Sequence, residues 1–177
     1  MPANLRLSVV AVSTLAFVAT VACTQPAVEP AMEERAAPAN PLHGVWSVTT
    51  ITPADGSPTI DPAHASLYIF VDGYYSAVYT NTADPRAASA MAFEPTPEEQ
   101  VAQHDSLIVN TGTYEVSGST ITYRPIIAKI PEFVGGYATD EFSIDGDTVT
   151  LTTTAVGSAD GTAMANVGES MTLRRIQ

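Results

Sequence analysis

Residues 66–80 read SLYIFVDGYYSAVYT. Two runs rich in Tyr, Val and Ile flank Asp72-Gly73, a dipeptide that tolerates the positive φ angles of a tight hairpin. The stretch therefore predicts two antiparallel strands. Similar units follow. GTYEVSGSTITYR (112–124) turns at Ser117-Gly118-Ser119, and DEFSIDGDTVTLTTT (140–154) turns at Asp145-Gly146. Upstream, GVWSVTTIT (44–52) alternates Trp46, Val48 and Thr50 against Val45, Ser47 and Thr49; downstream, SMTLRRI (170–176) is a final strand. Gly157 to Gly168 reads as a loop with a broken strand.

A single helix is predicted, in FEPTPEEQVAQHDSLI (93–108). Thr96 is the N-cap, Pro97 the first helical residue and Glu99 the third, which completes a capping box. Val101, His104, Leu107 and Ile108 would share one face of it. Many short sequential strands with one helix predict an all-β, antiparallel up-and-down barrel of about eight strands or more, because closure removes exposed sheet edges. A sandwich is the alternative.

The remainder of the 177-residue chain is of different character. Residues 7–22, LSVVAVSTLAFVATVA, are uncharged, too short to span a bilayer and right for the apolar region of an export signal. They end at Cys23, the only cysteine. Small residues before a lone cysteine resemble the lipobox of bacterial lipoproteins. Val21 and Ala22 fit it; Thr20 stands where Leu, Val or Ile is usual. The resemblance implies that residues 1–22 are a signal peptide, that Cys23 is lipidated, and that the protein is exported as a periplasm-facing lipoprotein. Thr24, in place of the inner-membrane Asp, points to the outer membrane. Residues 24–40 are rich in Pro, Ala and Glu and read as a semi-extended tether, leaving residues 41–177 as the barrel domain.

Gly44-x-Trp46 on the first strand and Arg174-Arg175 on the last resemble the lipocalin and calycin barrels. In that family the Trp closes one end and an Arg lies over its ring, a cation–π contact. Met171, Leu173 and Arg175 alternate onto one face, so Arg175 is the expected partner of Trp46. The set GVWSV, LYIFVDGYYSAVY, NTGTYEV, STITY, FVGG, FSIDGDTVTL and LRRI is similar to the bacterial lipocalin-like domain family over residues 44–176. Asp140 stands where many members carry Arg, and Tyr123 where many carry His, so any polar chemistry of those residues is not carried over.

Such barrels hold small apolar molecules, and eight strands leave room for about one. With a three-residue loop at Asp72-Gly73, alternation places Leu67 and Ile69 inward with Tyr75, Ala77 and Tyr79. With a two-residue loop, Tyr74, Ser76 and Val78 would join Leu67 and Ile69. Tyr114, Val116, Ile121, Tyr123, Phe142, Ile144, Val149 and Leu151 complete the expected inner set, and Arg124 near the mouth could hold one carboxylate. Tyrosines suit such a site, offering a broad apolar face and one hydroxyl.

Seven Lys and Arg against 19 Asp and Glu give a net charge of −12, which opposes nucleic-acid binding. His43, His64 and His104 lack metal-ligand spacing, and no CxxC, phosphate loop or nucleophile elbow is present. No cofactor is expected. Asp140 and Glu141 face opposite sides of a strand, so one could turn inward and form an acid–base pair with Tyr123 or Arg124. Three classes follow: a binding module for a small apolar ligand, an isomerase or cyclase on the same barrel, or a packed structural or inhibitory module. Residues 84–100 are expected beside the opening as a lid. The sequence leaves ligand identity and oligomeric state open.

Overall fold

The structure is a computed structural model and describes residues 40–61, 63–163 and 167–176. The expected signal segment, Cys23 and residues 24–39 of the tether lie outside the described residues. Eight strands run in order: β1 (Gly44–Thr52), β2 (Ser66–Val71), β3 (Tyr74–Thr80), β4 (Leu107–Ser117), β5 (Thr120–Ala128), β6 (Tyr137–Asp145), β7 (Thr148–Gly157) and β8 (Ser170–Arg175). Each pairs antiparallel with its neighbour, and β8 returns to β1, so the sheet is a closed up-and-down barrel. The sandwich alternative is thereby excluded.

Local chemistry sets the register. Asp72 and Gly73 have φ of 47° and 79°, the signature of a two-residue hairpin turn with both central residues left-handed, and Val71 pairs Tyr74. Asp145 pairs Thr148, so the third hairpin turns on Gly146-Asp147, one residue later than expected. The pairing of β1 with β2 covers only three register positions. Beyond it the Ser66 hydroxyl takes over the ladder, accepting from the Val48 N–H at 2.8 Å and donating to the Val48 carbonyl at 3.2 Å.

Three register shifts interrupt the ladders, leaving Thr49, Ile126 and Thr154 as extra residues. Bulges of this kind bend a strand and re-aim its side chains. The helix α1 (Pro97–Asp105) has the full capping box, with the Glu99 N–H donating to Thr96 Oγ1 and the Thr96 N–H donating to the Glu99 carboxylate. The expected apolar face is not used. Val101 is exposed, the helix buries no residue, and Leu107 and Ile108 already belong to β4.

The lumen has two halves. At the end carrying the hairpin turns, Trp46, Val48, Phe70, Ile121, Val149, Leu151 and Leu173 are at most 2% exposed and pack solid. Residues 40–43 fold under this end. Leu42 is fully buried there, its carbonyl accepting from Trp46 Nε1 at 2.8 Å. Asn40, assigned to the tether by sequence, donates from its side chain to the Tyr114 hydroxyl and caps the Leu42 N–H at 3.0 Å. The other end, beside α1 and the β5–β6 connection, is hollow.

Candidate functional site

The hollow end is a cavity of about 260 Å³. Its wall is aromatic. Tyr68 comes from β2, Tyr75 and Tyr79 from β3, and Tyr123 from β5. The two-residue turn puts Phe70 opposite Tyr75 and Tyr68 opposite Ala77, so Tyr68, Tyr75 and Tyr79 share one face, and that face is the buried one. The rings brace one another: Tyr68 and Tyr79 stack at 5.9 Å between centroids, and Tyr75 meets Tyr123 edge-on at 4.9 Å. Ile108, Ala138, Val156 and Met171 add apolar surface, and Ile130 and Phe133 of the β5–β6 connection form the rim.

Two features are polar. The first is a pair of carboxylates, Asp140 on β6 and Glu169 just before β8. Asp140 pairs Thr153 across the ladder, next to the bulge at Thr154, and the Thr153 N–H donates to the Glu169 carbonyl at 2.8 Å. Thr153 thus brings the two acids to one wall. Asp140 is 3% exposed; burial pushes its carboxyl above the usual carboxylate range, an effect that the Thr153 and Tyr123 hydroxyls beside it partly oppose. Burial raises Glu169 too, and the Asp140 charge adds to it. The second is a pair of tyrosine hydroxyls. Tyr75 and Tyr123 are 2% and 5% exposed; the Tyr123 hydroxyl lies beside the Asp140 carboxyl, and the Tyr75 hydroxyl has no hydrogen-bond partner among the described residues. Burial also raises the phenol pKa values of Tyr68, Tyr75, Tyr79 and Tyr123, so all four stay protonated donors at neutral pH.

Of the residues expected to line the site, Tyr75, Tyr79 and Tyr123 lie on the cavity wall. Leu67 and Ile69 do not. Leu67 is 40% exposed, and both belong to the outer face with their partners Val78 and Ser76, because the larger aromatic rings of Tyr68 and Phe70 take the interior. Tyr74, Ser76 and Val78 are therefore outward as well. Arg124 is exposed between the buried Tyr123 and Pro125, so strand alternation removes it from the lumen and no arginine waits there for a carboxylate. Tyr114 is buried at the solid end, edge-on to Phe70 at 5.2 Å. Phe142 packs partly buried against the core and does not reach the cavity. Val116, near the β4–β5 turn, is exposed. Residues 84–100 do not form a lid: Arg86 is tied to Ser106 and Gln103, Ala90 to Glu99, and none of the segment lines the cavity.

At the closed end the Arg175 guanidinium carbon lies 4.0 Å from the Trp46 ring centroid, and Arg174 faces solvent. Gly44 has φ of 134°, a conformation that a side chain disfavours, which explains glycine two residues before the tryptophan. The architecture is lipocalin-like.

No family model matches the chain, and no curated protein matches it. Among solved structures, it is similar to a lipocalin-like protein from Bacteroides uniformis, with 17% identity and a TM-score of 0.42 over 76% of this chain and 98% of that one. An uncharacterized protein from Bacteroides eggerthii is similar over the same shares, at 12% identity and a TM-score of 0.43. The fold assignment rests on the strand order and closure described above.

Proposed function

We propose that this protein is a binding module that takes one small, mostly apolar molecule into the open half of the barrel. The observation that carries the reading is the cavity of about 260 Å³ in the open half, walled by Tyr68, Tyr75, Tyr79 and Tyr123, with the Tyr75 hydroxyl buried and without a hydrogen-bond partner among the described residues. A buried hydroxyl left without a partner costs about 1–3 kcal/mol. A ligand polar atom that reaches the Tyr75 hydroxyl would recover that energy while its body covers the aromatic wall. The packed-module reading lacks support, since the lumen is filled only in its closed half.

The neutral, environment-sensitive naphthalene dye prodan is expected to bind the purified protein saturably and one-to-one. Tyr123→Ala should shift its affinity by about tenfold, whereas the surface change Asp160→Ala should not. Fluorescence titration that never saturates would overturn the reading.

A second reading draws on Asp140 beside Tyr123. A buried acid next to a phenol is what an isomerase or cyclase on this barrel would use for proton transfer. Mass spectrometry and chromatography of a co-purifying ligand, before and after renewed incubation, separate the two. A binding module returns the compound unchanged.

We further propose that Cys23 carries a lipid that holds the barrel at the cell envelope. Metabolic labelling with a fatty acid should mark the wild type and not Cys23→Ala. Label and membrane association that persist in the variant would refute this anchor.

A further inference from the structure

The cavity holds two acidic side chains that no cationic side chain pairs among the described residues. Asp140 and Glu169 line the same wall, and neither has a cationic partner: the ion pairs among the described residues are His43–Asp72, His104–Asp105 and Arg175–Asp147. Lys129 is the one cationic residue on the lining among the described residues, and its ammonium donates to the His104 carbonyl at the end of α1 at 3.0 Å and forms no ion pair with either acid. Arg124 points to solvent. A buried carboxylate is expensive to keep unless it is paired. Here the space beside it is empty of protein, and the surrounding faces are tyrosine rings, which attract cations.

From this geometry we infer that the ligand of the barrel is a cationic amphiphile: a small apolar body bearing one protonated amine, seated with its ammonium against Asp140 and Glu169 and its body among Tyr68, Tyr75 and Tyr79. The inference rests on the ligand-binding reading above and narrows it. The ammonium supplies donors to the two carboxylates. Tyr75 and Tyr123, both at least nine-tenths buried, line the same cavity, the Tyr123 hydroxyl beside Asp140 and the Tyr75 hydroxyl without a hydrogen-bond partner among the described residues. The acidic exterior acts in the same direction, since a net charge of −12 draws cations and repels anions before contact. Anionic amphiphiles, such as fatty acids, meet two acidic side chains against the single cationic lining residue, Lys129, which is held at the end of α1.

The proton balance is defined. Burial favours the protonated carboxyl at Asp140 and Glu169; an ammonium favours the carboxylate. Binding of an amine therefore expels protons from the pair, and acidification weakens it. The other titratable groups facing Asp140 and Glu169 across the cavity are Tyr68, Tyr75, Tyr79, Tyr123 and Lys129. None is a carboxyl or an imidazole, the side-chain types that ordinarily titrate between pH 4 and pH 8, so the proton change belongs to the acid pair.

Three near-isosteric probes test this on the purified full chain: naphthalene-1-methylamine, naphthalene-1-methanol and naphthalene-1-carboxylate, by isothermal titration calorimetry. The amine is expected to bind about tenfold or more tighter than the alcohol at pH 7, and the carboxylate weakest. Titration of the amine in buffers of different ionisation enthalpy should register proton release, and its affinity should fall towards pH 4. The alcohol should do neither. Asp140→Asn, which removes a charge that burial opposes, should bring the amine down to the alcohol's affinity while the alcohol still binds; Glu169→Gln should do so in part. Equal binding of amine and alcohol would overturn the inference and leave the binding reading intact. An amine preference that survives Asp140→Asn combined with Glu169→Gln would also overturn it. Failure of all three probes to bind would overturn both.

Discussion

Replacing Trp46 with alanine should lower the stability of the barrel by about 4 kcal/mol, the range for emptying a buried aromatic site. Trp46 is fully buried and joins three things at once. Its ring fills the solid half of the lumen, its Nε1 holds the Leu42 carbonyl, and its face carries the Arg175 guanidinium. Arg175 in turn donates to the His43 and Pro41 carbonyls at 2.7 and 3.0 Å. Loss of the ring therefore also frees the segment that plugs this end. Thermal unfolding followed by circular dichroism should show a drop on the order of 10 °C. Arg175→Ala should cost about 1–2 kcal/mol, from the cation–π contact and the two carbonyl bonds. Its side chain is 28% exposed, which limits the figure. A Trp46→Ala protein melting within a degree or two of wild type would show that the plug, not the indole, closes the barrel.

How much of this was legible in the sequence depended on parity. Trp46 and Arg175 could be placed because β8 carries its apolar residues, Met171 and Leu173, on one face only, so alternation puts Arg175 on the inner side opposite Trp46. The β2 strand has no such contrast: Leu67, Ile69 and Val71 are as apolar as Tyr68 and Phe70. There the turn decided the partners, but not which face turned in, and the expected lining at Leu67 and Ile69 fell on the wrong side. Arg124 was expected near the mouth for its chemistry, although its place between Tyr123 and Pro125 already turned it outward. The bulges at Thr49, Ile126 and Thr154 reverse parity within a strand and leave no local signature in residue type. Glu169 was the least legible member of the site. It is placed by the irregular segment before β8, where Gly168 has φ of 97° and donates to the Thr153 carbonyl at 2.7 Å. The two positions that depart from the lipocalin-like pattern, Tyr123 and Asp140, prove to be neighbours in the cavity. A sequence reading could say only that the family's polar chemistry does not transfer there.

The cavity wall itself depends on a glycine, and Gly112→Ala should be the most damaging single-methyl change in the barrel. Gly112 is buried on β4, paired with Tyr75 on one side and Pro125 on the other. A Cβ there would lie 2.0 Å from the Arg124 carbonyl oxygen and 2.8 Å from the Pro125 Cα. These are backbone atoms, so no rotamer change can yield. The approach is this close where β5 begins its bulge and where proline supplies no N–H to hold the ladder. Relief requires β4 and β5 to separate, against ladders on both flanks, at a cost of about 3 kcal/mol. The same movement would displace Tyr75 and Tyr123, so dye binding should weaken in whatever fraction remains folded. Gly118→Ala is the matched control. Gly118 has φ of 63°, and a methyl added there would have no other atom within 4 Å, so alanine meets only the left-handed backbone penalty, roughly 1–2 kcal/mol. Chemical denaturation of the two variants side by side checks the argument: if Gly112→Ala loses no more stability than Gly118→Ala, the close approach of β4 to β5 is not what fixes the wall.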